Sequence, residues 1–261
     1  MSLMLTKYYS HRKFIKQPLL ELLHMVVSSA SSVGNGIEVS AINDYVIHSL
    51  FLQMTGAQEQ KLKCVVWDLA NRDLQYRYDR YTKWDLGECS AIKEKNSVYA
   101  DIINHILPLK PAYKIFADVV QKKQFLENIL DKVDNVLSSS NLLHTHPHQY
   151  VEFNEVWNNL KGSNIDGGGQ LIITAKNNTQ NENLADNEQI FGIYRLLYLH
   201  RNRCAHNVMS YQDNLPPLWE LRNSYLQKHY NIFLFISVLV MIDEMIMKAY
   251  SEYERLEMHV M

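Results

Sequence analysis

The residues from 199 to 207 carry the chain's most concentrated set of side chains able to act on a phosphate. Arg201, Asn202 and His206 lie within a run that reads Leu-His-Arg-Asn-Arg-Cys-Ala-His-Asn. An arginine offers a planar fork of donors to phosphate oxygens, and a histidine titrates near neutral pH and can move a proton. Helical spacing from Tyr194 predicts Arg201 on a buried face, where a guanidinium needs an anionic partner or ligand. The run therefore predicts a phosphate-handling site at a helix end.

The same run also has a structural interpretation. Cations near a helix C-terminus interact favourably with the helix dipole, by about 0.3–1 kcal/mol each. Arg201 and His206 would then stabilise the last turn, and Asn207 would be its C-cap. Both interpretations are compatible with the residues alone.

Spacing and residue type together resemble a known superfamily. Arg201-Asn202-x-x-x-His206 resembles the Arg-x(4–6)-His signature of the HEPN superfamily, in which a polar residue, often Asn, follows the Arg. Its place late in a helical chain, before a long helix, is similar as well. Upstream, the run from Thr55 to Cys64 resembles the start of the first long helix in some members. The resemblance covers residues 41–85 and 188–250.

The resemblance implies a metal-independent ribonuclease of a toxin, abortive-infection or other antiviral system, active as a homodimer with a composite site. His206 would transfer the proton, Arg201 would hold the scissile phosphate of the RNA, and Asn202 would orient one of them. It implies no cofactor, and an antitoxin or other regulatory protein as a possible partner. Members modified by a nucleotidyltransferase antitoxin carry a Tyr two residues after the His; Val208 stands there, so that regulation is not expected. The alternative is a non-catalytic module that binds RNA, a nucleotide or a protein.

Four further basic residues are candidate RNA contacts: Lys61, Arg77, Arg80 and Arg203. Arg77 and Arg80 lie in Tyr-Arg-Tyr-Asp-Arg-Tyr at 76–81, where aromatic and basic residues are interleaved as in proteins that bind single-stranded nucleic acids. However, acidic residues precede basic ones by four positions three times in 68–83, which favours a solvated helix face. Lys61 belongs to Glu59-Gln60-Lys61, which interrupts an apolar stripe, so one of these three could reach the cleft.

Other chemistries have weaker support. His144, His146 and His148 alternate and would form a metal-binding comb if extended, but no Cys or carboxylate lies beside them. Gly167-Gly168-Gly169 lacks the Lys-Ser/Thr of a phosphate-binding loop. The chain also lacks the signatures of serine hydrolases and zincins. We therefore predict no metal site.

Composition predicts the fold class. The 261 residues include 9 glycines and 6 prolines, whereas an average chain of this length has about 30 of these residues. Turn-rich β architectures are excluded, so we predict an all-α helical bundle of up-and-down long helices. We expect a first helix that begins at Pro18 and a second from about 41 to 81. Two or three shorter helices should lie within 97–140, and another at Tyr150–Leu160. The last two should follow a cap at 186 or 187 and span about 219–257.

The predicted organisation is a single helical domain, 1–261. Residues 1–40 form an N-terminal extension, 41–85 and 188–257 the bundle core, and 86–187 an insertion with a flexible loop or small hairpin at 162–187. The net charge of −2 confines nucleic-acid contacts to local patches. The three cysteines form no CxxC motif, and no leader pattern is visible. The apolar run at 232–242 is too short to span a bilayer. We therefore predict a cytoplasmic protein without membrane contact.

Overall fold

The computed structural model describes residues 11–30, 40–83, 89–139, 147–160, 165, 169–172, 189–206 and 230–258. Eight helices of ten residues or more lie in these ranges: α1 (Leu20–Ala30), α2 (Ser40–Arg72), α3 (Leu74–Lys83), α4 (Ile92–Ile106), α5 (Val119–Ser138), α6 (Pro147–Leu160), α7 (Gln189–His206) and α8 (Ile232–Met258). The described residues contain no strand, and Ile165 and Ile172 form one isolated antiparallel bridge. The predicted all-α helical bundle is confirmed.

Most expected helices are present, with three differences. The helix expected from Pro18 begins at Leu20. The last helix, expected from about 219, begins at Ile232, because the side-chain oxygen of Asn231 accepts from the N–H of Phe233 at 3.0 Å and caps it. The single helix expected from 41 to 81 is divided at Asp73 into α2 and α3. The carboxylate of Asp73 accepts a hydrogen bond of 2.9 Å from the backbone N–H of Tyr76 and so caps the start of α3. The part of the last helix expected at 219–229 lies outside the described residues.

Helix α8 occupies the centre of the bundle. Every residue from Ile232 to Asp243 is buried, and the helix packs against α2, α4, α5, α6 and α7. Gln58 of α2 bonds to the carbonyl of Leu239, and Asp68 of α2 accepts from the hydroxyl of Tyr250, so α2 and α8 run in the same direction. The apolar run at 232–242 therefore lies at the centre of the bundle, and no described helix is long and apolar enough to cross a membrane.

The apolar stripe predicted along α2 faces this centre. Its six members have no measurable exposure: Ile47, Phe51, Met54, Leu62, Val65 and Leu69. The polar interruption at Gln58 is equally buried, and its amide is bonded on both sides. Its nitrogen donates to the carbonyl of Leu239 at 2.9 Å, and its oxygen accepts from Lys95 Nζ at 2.8 Å. The interruption is thus a buried polar link between α2, α4 and α8.

One hydrophobic cluster joins the extension, the bundle core and the insertion. Leu23 of the extension, Ile129 of the insertion and Leu239 of α8 all belong to it. The apolar island at Leu171 and Ile172 is also buried there, and Ile172 exchanges two hydrogen bonds with the amide of Asn96 in α4, at 3.0 and 3.2 Å. Apart from positions 165 and 169–172, the loop expected at 162–187 lies outside the described residues.

Candidate functional site

Helix α7 carries the Arg-Asn-His motif in its last turns. Its predicted apolar face is buried in the bundle: Ile190, Ile193, Tyr194 and Leu197. The Tyr194 hydroxyl donates to the backbone carbonyl of Ser90, which fixes the first half of the helix against the chain that leads into α4. These contacts hold the helix, and with it the motif, at the edge of α2.

Arg201 lies at the margin of the buried face rather than within it. Its side chain is 29% exposed, and its Nη2 donates to Glu59 Oε2 of α2 at 3.2 Å. The other terminal nitrogen donates to the side-chain oxygen of Asn202 at 3.2 Å. The guanidinium therefore has the anionic partner that its partial burial requires, while part of its surface remains accessible.

The residue on the buried face is His200, which the sequence interpretation did not single out. Its ring packs against Phe51, Phe235, His48 and Tyr230, with centroid distances of 5.2–5.5 Å. Its Nδ1 is hydrogen-bonded to the Tyr230 hydroxyl. Burial, and then the nearby positive charges of His48 and Arg203, lower the pKa of His200 to about 3. His200 is therefore neutral at physiological pH and belongs to the core.

The neighbours of His200 complete the end of α7. The Arg203 guanidinium lies 4.9 Å from the centroid of the Tyr230 ring, a cation–π distance. Cys204 Sγ lies 3.5 Å from His200 Nε2. Helix α7 ends at His206, so positions 202 and 206 are one turn apart on one side of the helix. The side chain of His206 lies outside the described part of the structure.

A buried lysine lies close to the Arg201–Glu59 pair. Lys95 of α4 is 2% exposed, and its ammonium donates to Gln58 at 2.8 Å. Burial lowers the pKa of Lys95 to about 8, which Glu59 opposes and Arg201 reinforces. Sequence interpretation missed this residue, although Lys95 extends the apolar stripe of α4 at helical spacing from Val98 and Tyr99. A lysine on the apolar face of a predicted helix was the signal in the sequence that could have identified this residue.

The candidate RNA contacts divide into two groups. Lys61 and Arg80 are buried, so they do not present their charges to a ligand: Lys61 pairs with Asp243 at 2.7 Å and Arg80 pairs with Asp101. Arg77 is exposed and donates to Asn71 at 2.7 Å, while the Arg203 guanidinium lies over the Tyr230 ring. From the patch at 59–61, it is Glu59 that reaches the motif.

Only His148 of the histidine comb lies in the described residues. His148 lies in the first turn of α6 and is exposed, rather than in an extended segment, and His144 and His146 lie outside the described residues. Within the ranges that the structure covers, no three metal-binding side chains of the His, Cys, Asp and Glu types are grouped. Of the basic residues near the N-terminus, Arg12 and Lys16 both pair with Glu254 of α8.

Comparisons of the chain with models of protein families, with curated protein sequences and with solved structures find no match. The chemistry of Arg201 and its neighbours is therefore the basis for assigning a function.

Proposed function

We propose that the chain is a metal-independent endoribonuclease of the HEPN type that acts as a homodimer, as a toxin or antiviral effector. The observation that carries the proposal is Arg201. Its guanidinium is fixed by Glu59 and Asn202, remains 29% exposed, and lies one to two turns before the end of a helix that finishes at His206. A partly exposed, oriented arginine is suited to bind a phosphate.

The chemistry requires few residues because RNA supplies its own nucleophile. The 2′-hydroxyl attacks the adjacent phosphorus, and the bond to the 5′-oxygen breaks. The products are a 2′,3′-cyclic phosphate and a 5′-hydroxyl. A base must accept the proton of the 2′-hydroxyl, an acid must protonate the leaving oxygen, and a cation must stabilise the charge on the phosphorane. Arg201 supplies the cation.

The proton transfer is assigned to His206 rather than to His200. With a pKa lowered to about 3 and a ring enclosed by aromatic residues, His200 cannot donate a proton near neutral pH. One chain offers a single motif histidine, whereas the reaction needs both a base and an acid. Two copies with their α7 ends facing each other would provide both, which is why the proposal includes a homodimer.

The test compares three proteins on RNA in the presence of EDTA. Wild type is expected to cleave RNA to 2′,3′-cyclic phosphate ends, and Arg201→Ala and His206→Ala should each lose at least about a hundredfold in rate. The matched controls are Arg195→Ala, an exposed arginine of the same helix, and His24→Ala, an exposed histidine of α1. Both controls should cleave at the wild-type rate.

Each other outcome contradicts the proposal in a specific way. RNA binding without cleavage in wild type would assign the chain to the alternative, a non-catalytic binding module, which the internal pairing of Arg201 with Glu59 also permits. Cleavage that persists in His206→Ala would remove His206 from the mechanism. A stable monomer at concentrations where the enzyme is active would contradict the composite site.

A further inference from the structure

A second concave site, strongly cationic, lies far from Arg201 on the bundle. It is a cavity of about 440 Å³ between the connection that follows α4 and the last turns of α8. Lys110 and Lys114 line it from the connection, and Lys248 and Arg255 line it from α8, with Glu252 as the one acidic residue of the lining. Four cations thus face one carboxylate, on a chain whose net charge is −2.

Glu252 is already fully engaged. Arg255 donates to it through two nitrogens, at 2.8 and 2.9 Å, and Lys110 donates at 3.0 Å. These cations lower the pKa of Glu252 to about 2. The single negative charge of Glu252 is therefore already shared between Arg255 and Lys110.

Lys114 and Lys248 form no ion pair with any described residue. Lys248 Nζ instead lies 4.9 Å from the centroid of the Phe116 ring. Both ammonium groups are exposed at the wall of one cavity, so an anionic ligand in it can reach them. A ligand with more than one negative charge would satisfy both.

The cationic cavity adjoins an apolar one. A second cavity, of about 380 Å³, shares Tyr113, Lys114 and Ile115 with the first and is lined further by Ile103 and Phe116. Its two other charged residues, Asp118 and Lys122, have opposite signs. The two cavities form two lobes of one site. The cationic lobe favours phosphate groups, the apolar lobe favours an apolar or aromatic group, and Tyr113 lines both. Each lobe has the volume of a typical small-molecule site.

We propose that this double cavity binds a nucleoside triphosphate, with its phosphates between Lys114 and Lys248 and its base in the lobe lined by Tyr113 and Ile103. The site is separate from the Arg201 site. Along α8, Phe235, which packs on His200, and Ser251, which lines the cationic cavity, are about 24 Å apart at 1.5 Å per residue. The proposal does not depend on ribonuclease activity.

The test measures binding of ATP, GTP and inorganic triphosphate to the full chain by calorimetry. ATP or GTP should bind to wild type, and the double variant Lys114→Glu/Lys248→Glu should bind at least tenfold more weakly. Lys13→Glu/Lys93→Glu makes the same change in net charge at exposed lysines outside both cavities, and it should bind within twofold of wild type. Equal thermal midpoints of the variants would show that all are folded.

Three results would overturn the proposal. The first is that neither ATP nor GTP binds when each is present at about 1 mM, which would mean a dissociation constant well above that concentration. The second is that inorganic triphosphate binds as tightly as the nucleotides, because the apolar lobe would then have no occupant. The third is that Arg201→Ala abolishes nucleotide binding, which would transfer the ligand to the motif site. Wild-type nucleotide affinity in Arg201→Ala supports the proposal whether or not the chain cleaves RNA.

Discussion

The ion pair between Arg201 and Glu59 determines how available the motif cation is. Glu59 is 13% exposed and accepts from one nitrogen of the guanidinium, so it both orients the arginine and competes with any phosphate for its charge. Glutamine at position 59 retains an oxygen that can accept this hydrogen bond but removes the competing charge. Orientation and competition can therefore be separated by one substitution.

For Glu59→Gln we expect tighter RNA binding, by about fivefold, which corresponds to roughly 1 kcal/mol of lost competition. For Glu59→Ala we expect a loss of cleavage rate, because Arg201 would no longer be held toward α2. Fluorescence anisotropy with a short labelled RNA measures the first effect, and the cleavage assay measures the second. Weaker binding by Glu59→Gln would show that the carboxylate charge itself is needed.

Burial of His200 in the core makes the free energy of unfolding depend on pH. Its pKa is about 3 in the folded chain, against an ordinary value of 6.5 in the unfolded chain. Between these values the unfolded state binds a proton that the folded state does not, so the free energy of unfolding falls as the pH falls from 6.5 toward 3. His200→Phe should remove this part of the acid sensitivity, while losing about 1 kcal/mol at pH 7 with the bond to Tyr230.

Urea unfolding at pH 7 and pH 4.5 measures this difference. The free energy of unfolding of wild type should exceed that of His200→Phe at pH 7 and lie below it at pH 4.5, because proton uptake by the unfolded chain over about two pH units costs wild type more than about 1 kcal/mol. The exposed residue His24 provides the control, because His24→Phe should leave the pH dependence of wild type unchanged. Parallel curves for His200→Phe and wild type would contradict the buried, neutral imidazole.

The motif residues were identifiable from the sequence, whereas their partners were not. Arg201 was singled out by residue type and spacing alone, but its partner Glu59 is 142 positions away and is brought to it by the packing of α2 on α7. His200 and Arg201 are adjacent, and helical periodicity does not resolve which of two neighbouring residues occupies the buried face. That distinction depends on the rotation of α7 in the bundle.

Among the helices, α2 shows how much an apolar pattern can determine. Its stripe predicted the buried face over more than six turns, and Gly56 did not interrupt it, since α2 is continuous from Ser40 to Arg72. The break at Asp73 was not predicted because the acid was interpreted as the partner of Arg77. In the structure its carboxylate caps the first turn of α3 instead. Local capping competes with side-chain pairing, and the sequence does not show which prevails.

Gly56 should be replaceable with a gain in stability. The position is exposed and helical, and a Cβ there would have no heavy atom within 4 Å. Gly56→Ala should raise the free energy of unfolding by about 0.5–1 kcal/mol, because glycine loses more backbone entropy in a helix than alanine. Gln53→Gly, at an exposed position one turn earlier, should lower it by a similar amount. A loss of stability in Gly56→Ala, measured by urea unfolding, would disprove this account of α2.

The cap at Asp73 gives a second prediction for the helices. Asp73→Ala should lower the free energy of unfolding by about 0.5–2 kcal/mol, because the N–H of Tyr76 loses its acceptor. Asp73→Asn retains a capping oxygen and should cost less. The difference between the two variants isolates the cap, and equal losses would instead point to the contact of Asp73 with His105, whose Nε2 lies 3.5 Å from its carboxylate.

At the scale of the whole molecule, one buried ion pair joins the segment that leads into α1 to both α2 and α8. Lys61 of α2 contacts both Asp243 of α8 and the backbone carbonyl of Gln17, and Asp243 also accepts from the N–H of Leu19 at 2.8 Å. Both charged side chains are at most 3% exposed. Burial lowers the pKa of Lys61 and raises that of Asp243, and each charge opposes the shift of the other. Gln17 and Leu19, just before α1, are therefore held to the core of the molecule.

A double-mutant cycle tests whether this pair holds the molecule together. Lys61→Met leaves a buried carboxylate without its cation and should cost about 3–5 kcal/mol, and Asp243→Asn leaves the ammonium in the same position. The double variant removes both charges yet keeps an oxygen that can accept from Leu19. Its loss in free energy of unfolding should therefore be smaller than the sum of the two single losses, by at least about 1 kcal/mol.

The exposed pair of Lys132 and Glu244 provides the control. These two side chains are 2.8 Å apart, Glu244 follows Asp243 directly in α8, and the same cycle should give a coupling energy below about 1 kcal/mol. Additive losses at Lys61 and Asp243 would mean that apolar packing alone joins the N-terminal helix to the bundle.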